Sequence, residues 1–501
     1  MTSNANLYAH FKQHFPLDLN TQLLVTEAGL SVSYGDADES SGRIANCLLN
    51  LGAVAGDRVT VQVDKSVENL FLYLACLRAG LVYHPLNTAY KASELEYFLS
   101  NAEPTIVICS SASLSTIETV LPAAGVRSVL TLDADGSGTL MDKAATASVD
   151  ANIAISEGSD MAALLYSSGT TGQPKGITLS HDNLRKNAET LVDIWGFSGS
   201  DRLLHMLPIY HVHGLFVGLG CVMMSGASMV WHSGFSDKAA VAALPGCTVM
   251  MGVPTYYTRL LSNSSFGSEC CSNMRLFISG SAPLLSETFI EFHTRTGHTI
   301  LERYGMTETG MNTSNPLQGE RRAGTVGPSL PGVTVRVLDD AGNVLAIGET
   351  GNLQVQGPNV FPGYWRMPEK TAEDFTSDGY FNTGDKATLD ADGYVSIVGR
   401  SKDMIISGGL NVYPKEIELV IDDMAGIAES AVIGVAHADF GEVAVAVIIA
   451  DGNVPSAEEV IAHCKSQLAN FKVPKRVEII DALPRNAMGK VQKNLLRERF
   501  G

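Results

Sequence analysis

Between residues 21 and 110, short apolar runs alternate with amphipathic stretches, and this alternation constrains the fold more than any other feature of the chain. Val59-Thr60-Val61-Gln62-Val63 has the β-branched character of a strand. Val67 to Ala79 carries apolar residues at helical spacing and stops at Gly80. Ala102-Glu103-Pro104 breaks the chain, and Thr105-Ile106-Val107-Ile108-Cys109 reads as the next strand. Strands separated by helices predict an α/β fold with crossover connections. Similar signals continue to about residue 320. Residues 132–160, rich in Asp, Ala, Gly and Ser with little periodicity, read as a connecting segment.

From about residue 325 the texture changes. Val333-Thr334-Val335-Arg336-Val337-Leu338 alternates as a half-buried strand, Asp339-Asp340-Ala341-Gly342 reads as a turn, and Leu353-Gln354-Val355-Gln356 alternates again. Short strands with glycine turns predict a small β-rich subdomain. Gly399-Arg400-Ser401-Lys402-Asp403 is a polar break, and the last hundred residues read as a small α/β unit. A chain of 501 residues is too long for one core. The expected organisation is a large N-terminal domain over 1–400, made of α/β subdomains plus the β-rich one, and a small C-terminal α/β domain over 401–501.

One stretch points to chemistry. Leu164-Leu165-Tyr166 leads, as the end of a buried strand would, into Ser167-Ser168-Gly169-Thr170-Thr171-Gly172-Gln173-Pro174-Lys175-Gly176. Glycines and small hydroxylated residues let backbone N–H groups approach an anion, the hydroxyls add donors, and Lys175 adds a charge. A polyphosphate needs these features, although a Ser/Gly/Thr run also makes a flexible linker. The order differs from the Walker loop, because Pro174 precedes the lysine and Gly176 follows it. After the loop, Ser180-His181-Asp182-Asn183 can cap a helix beginning near Leu184.

Charge and cysteine content narrow the function classes. A net charge of −18 argues against nucleic acid as the main partner, because binding a polyanion needs a basic field. The eight cysteines include no Cys-x-x-Cys, which fits reduced thiols in a cytosol-like compartment. The start lacks a basic segment and a long apolar core, and the longest apolar runs are short of a membrane span, so the expectation is a cytoplasmic protein. Residues 461–501 form a basic tail, with nine Lys/Arg against three Asp/Glu.

Four further motifs carry candidate roles. In Tyr304-Gly305-Met306-Thr307-Glu308-Thr309, a carboxylate beside a hydroxyl suits a Mg²⁺ that also touches phosphate, or simply caps a helix. In Tyr380-Phe381-Asn382-Thr383-Gly384-Asp385, a carboxylate on a turn could accept both hydroxyls of a ribose, or close an Asx-turn. Gly399-Arg400-Ser401-Lys402-Asp403 follows. Pro484-Arg485-Asn486-Ala487-Met488-Gly489-Lys490 implies an exposed loop ending in a lysine.

In this order, the five motifs resemble the acyl-adenylate-forming superfamily, which includes acyl-CoA synthetases, firefly luciferase and peptide-synthetase adenylation domains. The resemblance runs from about residue 20 to 495. It implies a C-terminal domain that acts as a mobile lid, with ATP, Mg²⁺ and coenzyme A as cofactors and co-substrates. An acid and ATP would give an acyl-AMP, and a thiol would then take the acyl group. By resemblance, Ser167, Ser168, Gly169, Thr170, Thr171, Gly172 and Lys175 embrace the β- and γ-phosphates. Thr307 and Glu308 contact phosphate and Mg²⁺, with Glu308 as the metal ligand. Tyr304, Asp385 and Arg400 belong to the nucleotide site, and Asp385 and Arg400 hold the ribose. Lys402 sits at the hinge. Lys490 reaches the carboxylate and α-phosphate, and it is also a sensible target for a lysine-modifying enzyme. Gly408-Gly409 and the segment after them face the second reaction.

The resemblance also lines the acid pocket with Ile209–Gly214, Val253–Arg259, Ser279–Ala282 and Gly310–Thr313. This set is polar where a fatty-acid enzyme would want apolar residues. If Val253-Pro254-Thr255 opens a helix, Thr255 and Arg259 share a face, and Arg259 could hold a second carboxylate in a bidentate pair. Arg275 is a second choice. Ile209-Tyr210-His211-Val212-His213-Gly214-Leu215-Phe216, Ser279-Gly280-Ser281-Ala282-Pro283 and Glu302-Arg303-Tyr304 through Pro316 resemble the malonyl-CoA synthetase group in particular. That implies substrate contacts from His213, Arg259, Ser281 and Met311. Met311 and Val212 would limit a 2-substituent, and Val212 leaves malonate and methylmalonate both open. Another short acid, a luciferase-like oxygenase and a non-catalytic nucleotide-binding protein are the alternatives.

Overall fold

The computed structural model describes residues 4–122, 125–167, 174–400, 403–407, 410–437, 440–452, 455–468, 470–486 and 489–501. Ser168, Gly169, Thr170, Thr171 and Gly172 of the expected phosphate loop, the hinge residue Lys402, and Gly408-Gly409 lie outside the described residues.

The fold is α/β, with two largely parallel sheets in the large N-terminal domain. The six-stranded sheet runs, edge to edge, through Ser128–Thr131, Ile106–Cys109, Arg58–Gln62, Val82–Pro85, Met161–Ser167 and Lys175–Ser180. The eight-stranded sheet runs through Gly310–Ser314, Leu301–Met306, Leu276–Ser279, Val249–Gly252, Arg202–His205, Ser228–Trp231, Gln22–Thr26 and Ser31–Ser33. Central strands such as Ile106–Cys109, Val249–Gly252 and Leu276–Ser279 are buried at every residue. Helices cover both faces of such parallel sheets, so their strands read as continuous apolar runs.

Local chemistry explains the boundaries. Ser66 accepts from the Asn69 N–H and caps the helix Val67–Arg78, and Gly80 supplies the positive φ of 69° that ends it. Ser180 and Asn183 form a reciprocal capping box, so the next helix starts at His181, earlier than the Leu184 expected from its apolar pattern. Residues 132–160 are not wholly a connector, because they contain the short helix Thr139–Ala145.

Thr334–Leu338, Gly351–Gln356, Phe381–Leu389 and Val395–Arg400 form an antiparallel four-stranded sheet with the mixed exposure expected of a half-buried layer. Beyond Arg400 a separate five-stranded sheet begins at Ile405–Ser407 and carries the helices Pro414–Asp422 and Ala457–Gln467. It has its own apolar core around Ile417, Val432, Ile448 and Val460. Among the described residues, no helix is long and apolar enough to cross a membrane.

Candidate active site

The expected phosphate loop is the connection of an antiparallel hairpin. The strands that flank it, Met161–Ser167 and Lys175–Ser180, pair as far as Ser167 and Lys175. Lys175 Nζ donates to the Tyr364 hydroxyl at 3.1 Å and lies 3.4 Å from Asp374 Oδ2. It also lies 4.2 Å from the centre of the Tyr364 ring. Neither Tyr364 nor Asp374 stands out in the sequence. Both follow the strand Gly351–Gln356 and meet the lysine only through the fold.

Asp385 lies on a strand and not on a turn. It is inside Phe381–Leu389, where Gly384 takes a φ of 72° beside a register shift. Its carboxylate is 4% exposed and already engaged. Arg400 Nε donates to Oδ1 at 2.7 Å, and the Tyr304 hydroxyl donates to Oδ2. Asp385 and Arg400 are directly opposed in the sheet, and Tyr304 arrives from the eight-stranded sheet. The pair joins the two layers at one point. The Asp385 charge beside Arg400 raises that guanidinium's pKa, while burial and Asp385 together raise that of the Tyr304 hydroxyl.

Thr307 and Glu308 occupy the turn between Leu301–Met306 and Gly310–Ser314, a hairpin and not a helix start. Glu308 is buried, and burial raises its pKa, against the lowering effect of Arg400, Lys175 and Lys490. Lys490 belongs to the C-terminal unit yet enters this site. Its turn is fixed by the Gly489 N–H donating to the Asn486 carbonyl at 2.9 Å and by a φ of 76° at Gly489. A side chain at Gly489 would stand 3.7 Å from Thr255 Oγ1, so the turn rests on the start of the helix Pro254–Ser262. Lys490 is therefore partly enclosed, in contrast to the exposed loop expected from its glycine and asparagine. Burial, with Arg400 and Arg303 nearby, pushes it down to about 8, while Asp385 and Glu308 oppose the shift.

The acid end of the cleft holds a residue that sequence reasoning missed. Arg303 is 2% exposed in the middle of Leu301–Met306, and its Nε and Nη2 have no hydrogen-bond partner among the described residues. Its neighbour Glu302 cannot pair with it, because adjacent strand residues point to opposite faces. Burial lowers Arg303 to about 10, which leaves it cationic near neutrality. A Cβ on Gly280 would come within 2.5 Å of the guanidinium, so a side chain there would displace Arg303. The histidines around Arg303 are neutral. Burial, Lys490 and Arg303 push His211 down to about 3, and burial with Arg303 lowers His213. His213 Nδ1 lies 3.3 Å from Ser281 Oγ, while His213 Nε2 and Ser279 Oγ are unpartnered among the described residues. Ser281 has a φ of 71°, a strained position for a non-glycine residue of the kind that gathers at functional sites.

Met311 is 2% exposed and packs against Gly305, where a Cβ would stand 2.5 Å from its Cε. Asn187 holds the Met311 backbone from both sides: Oδ1 accepts its N–H, and Nδ2 donates to its carbonyl, each at 3.0 Å. Val212 is also buried. Arg259 is not brought to this pocket. The helix does open at Pro254, but Tyr257, Leu260 and Leu261 face the core, which leaves Thr258 and Arg259 exposed. Arg275 is also elsewhere, with Nε 2.7 Å from Asp201 Oδ1.

A site with a nucleotide-sized polar end, a lysine delivered by a second domain and a buried cation at the far end defines an enzyme that activates acids with a nucleotide. The chain belongs to the AMP-binding enzyme family: the model of that family matches residues 19–365, and the model of its C-terminal domain matches residues 416–490. It is similar to the malonate–CoA ligase of Arabidopsis thaliana, 32% identical over 99% of this chain and 90% of that one. It is also similar to a feruloyl-CoA synthase of an Amycolatopsis species, 34% identical over 95% and 96%. ATP-bound MatB from Rhodopseudomonas palustris is 51% identical and superposes with a TM-score of 0.97 over 99% of both chains. For the apo form of that protein, at the same 51% identity, the score is 0.86. The arrangement seen here, with Lys490 in the site, follows the ATP-bound form.

Proposed function

We propose that the protein joins malonate to coenzyme A through malonyl-AMP, releasing AMP and pyrophosphate. The observation that carries this reading is the buried, unpartnered Arg303 with neutral His211, His213 and Ser281 beside it. A buried cation without a counter-charge is costly, and a carboxylate supplied by the substrate offsets that cost. A monocarboxylic acid would use its only carboxylate in the reaction and leave Arg303 unpaired. The similarity to malonate–CoA ligases and to MatB supports the same acid. Met311 and Val212 crowd the space where a 2-substituent would sit, and methylmalonate is the second acid to test.

One oxygen of the reacting carboxylate attacks the α-phosphorus of ATP, and the bond to the bridging oxygen breaks to release pyrophosphate. The coenzyme A sulfur, as thiolate, then attacks the acyl carbon, and the bond to the AMP oxygen breaks. No protein nucleophile is needed. Lys490 would sit between the reacting carboxylate and the α-phosphate and offset their repulsion. Lys175 and residues 167–172 would hold the leaving pyrophosphate, and Asp385 would exchange its bonds to Tyr304 and Arg400 for the ribose hydroxyls. The donors at Glu308 suit Mg²⁺: one buried carboxylate and a neighbouring hydroxyl, with no cluster of three His, Cys, Asp or Glu among the described residues. This ion takes few protein carboxylates and fills its shell with phosphate and water. Thr307 and Glu308 would hold it, and when bound it neutralises charge on the pyrophosphate. We place the division between body and lid at 400/401, with Lys402 as the hinge.

A panel of acids in a coenzyme A-dependent AMP-release assay tests the reading. Malonate should exceed butyrate by at least about a hundredfold, the worth of a buried charge pair. Equal rates with the two acids would sink it.

A further inference from the structure

Behind the acid pocket, a second, partly buried polar chain links the two large sheets. Lys65 follows the strand Arg58–Gln62 of the six-stranded sheet and reaches across to His205, the last residue of Arg202–His205 in the eight-stranded sheet. Lys65 Nζ lies 2.9 Å from His205 Nδ1 and donates to the His205 carbonyl at 2.9 Å. It also lies 4.2 Å from the centre of the Trp231 ring. On the other side of the imidazole, His205 Nε2 lies 3.0 Å from the Gly214 carbonyl. Gly214 belongs to the π-helical turn His213–Gly218, which carries His213 into the acid pocket. Fit is tight here: a side chain at Gly218 would stand 3.1 Å from His205 Nε2, and one at Gly214 would stand 2.1 Å from the Pro208 carbonyl.

The chain has a single consistent protonation pattern. A carbonyl only accepts, so the proton between His205 and Gly214 sits on Nε2. His205 is fully buried beside Lys65, and both effects keep the ring neutral. A neutral imidazole with its proton on Nε2 has a bare Nδ1, which must accept, and Lys65 is its donor. Among the described residues no carboxylate pairs with Lys65, and burial lowers its pKa well below the usual lysine range. The acid that bears on it, Glu27, is 3.2 Å from His232 Nδ1 and accepts from Ser233 Oγ at 2.8 Å. The remaining side of Lys65 lines a cavity of about 240 Å³ shared with Asn69, Tyr210 and Ser233.

We infer that Lys65 and His205 are positioning residues for the acid pocket: Lys65 fixes the tautomer of His205, and His205 holds the turn that aims His213 at the distal carboxylate of the substrate. π-Turns are strained insertions that often persist at functional sites, so this one needs an anchor on its first carbonyls. Among the described residues the chain makes no hydrogen bond to Lys175, Asp385 or Arg400, so its loss should be felt by the acid and not by ATP.

The inference rests on the malonate reading for the choice of acid only, and its spectroscopic test is independent of that choice. In full-length protein labelled with ¹⁵N-histidine, the His205 resonances, assigned by their loss in His205→Gln, should show Nδ1 bare and Nε2 protonated at neutral pH. Lys65→Met should let the tautomers mix. It should also raise KM for malonate about tenfold, the worth of one buried hydrogen bond, with kcat and KM for ATP within about twofold. His205→Leu should match it, and His205→Gln, which keeps an N–H near the place of Nε2, should recover most of the loss. Proton density on Nδ1 in the native protein would overturn the inference, and so would equal changes in the two KM values or none. If Lys65→Met does not fold, the tautomer of the native protein still decides. If malonate proves not to be the substrate, that reading fails alone, and the same KM comparison is made with the acid the panel selects.

Discussion

The two ends of the cleft treat charge in opposite ways. At the nucleotide end Asp385 and Lys175 have partners within the protein: Asp385 has Arg400 and Tyr304, and Lys175 has Asp374 and Tyr364. At the acid end Arg303 lies among neutral histidines, with two of its nitrogens unpartnered among the described residues. The nucleotide end can exchange one set of bonds for another when ATP arrives, so its resting state is cheap and its recognition is a matter of geometry. The acid end stores a desolvated cation in the free protein and is relieved by its substrate. Specificity for a second carboxylate therefore resides at Arg303.

Breaking the acid end should have the largest effect. Arg303→Met is expected to lower kcat/KM for malonate by about 10²–10³, because truncating one partner of a buried charge pair costs about 2–5 kcal/mol. KM for ATP should stay within about threefold. The free variant should be as stable as the native protein or more so, since the change removes an uncompensated buried charge. Steady-state kinetics and thermal melts check both parts, and a loss of stability with retained malonate activity would contradict the contrast.

Lys490→Ala should cost about a hundredfold in adenylation, measured as malonate-dependent pyrophosphate release. Thioester formation from supplied malonyl-AMP should be largely kept, and equal loss of both steps would remove Lys490 from its place between the ends. Its titration gives a pH signature. In the free enzyme the lysine loses its proton near pH 8, so log kcat/KM for adenylation should fall with a slope of −1 above that pH. The sign for stability is the reverse. The folded pKa is depressed below the unfolded one, so the unfolded chain binds more protons between about 8 and 10.5, and this group's penalty on folding is relieved as pH rises through that window. Bound ATP brings negative charge and should move the break in kcat upward.

A smaller effect sharpens the nucleotide end. Tyr304→Phe removes one of the two bonds to Asp385 and leaves Arg400 in place. Because Asp385 gives up that bond when it takes the ribose hydroxyls, KM for ATP should fall about tenfold with KM for malonate unchanged, the lower end for one hydrogen bond to a charged group.

Much of this was legible in the residues, and the failures have physical causes. The α/β class follows from β-branched runs such as Ile106–Cys109 separated by amphipathic helices, because burial on both faces leaves no other pattern. Ser180 was visible as a cap, yet the helix starts at the cap and not at its first apolar residue. Thr139–Ala145 is too short to show a period. Asp385 reads as a turn residue because Gly384 bends the chain, but the bend is a bulge inside a strand. Arg303 was hidden by its neighbour, since a Glu-Arg pair looks self-neutralising until the strand sends the two side chains apart. Its signal was an arginine in a strand whose first three residues are buried. The partners Tyr364 and Asp374 carry no such signal, because they meet Lys175 only through the packing of one sheet on another.

The smallest expected effect bears on how the acid end is identified. The helical arithmetic that put Thr255 and Arg259 on one face is sound, and Pro254 starts the helix as it requires. What the spacing leaves open is which face turns inward. Tyr257, Leu260 and Leu261 are buried and Arg259 is exposed, so its guanidinium is solvated already and has nothing to gain from a distal carboxylate. Arg259→Ala should therefore change KM for malonate by less than about twofold, within the ordinary range for an exposed charge. The comparison is a direct one, because Arg303→Met and Arg259→Ala each remove one positive charge from the same domain. If the arginine charge acted on malonate only through the general field of the protein, the two variants would lose activity to similar extents and added salt would narrow the difference. A gap of two orders of magnitude that persists in high salt requires contact at Arg303 and absence of contact at Arg259.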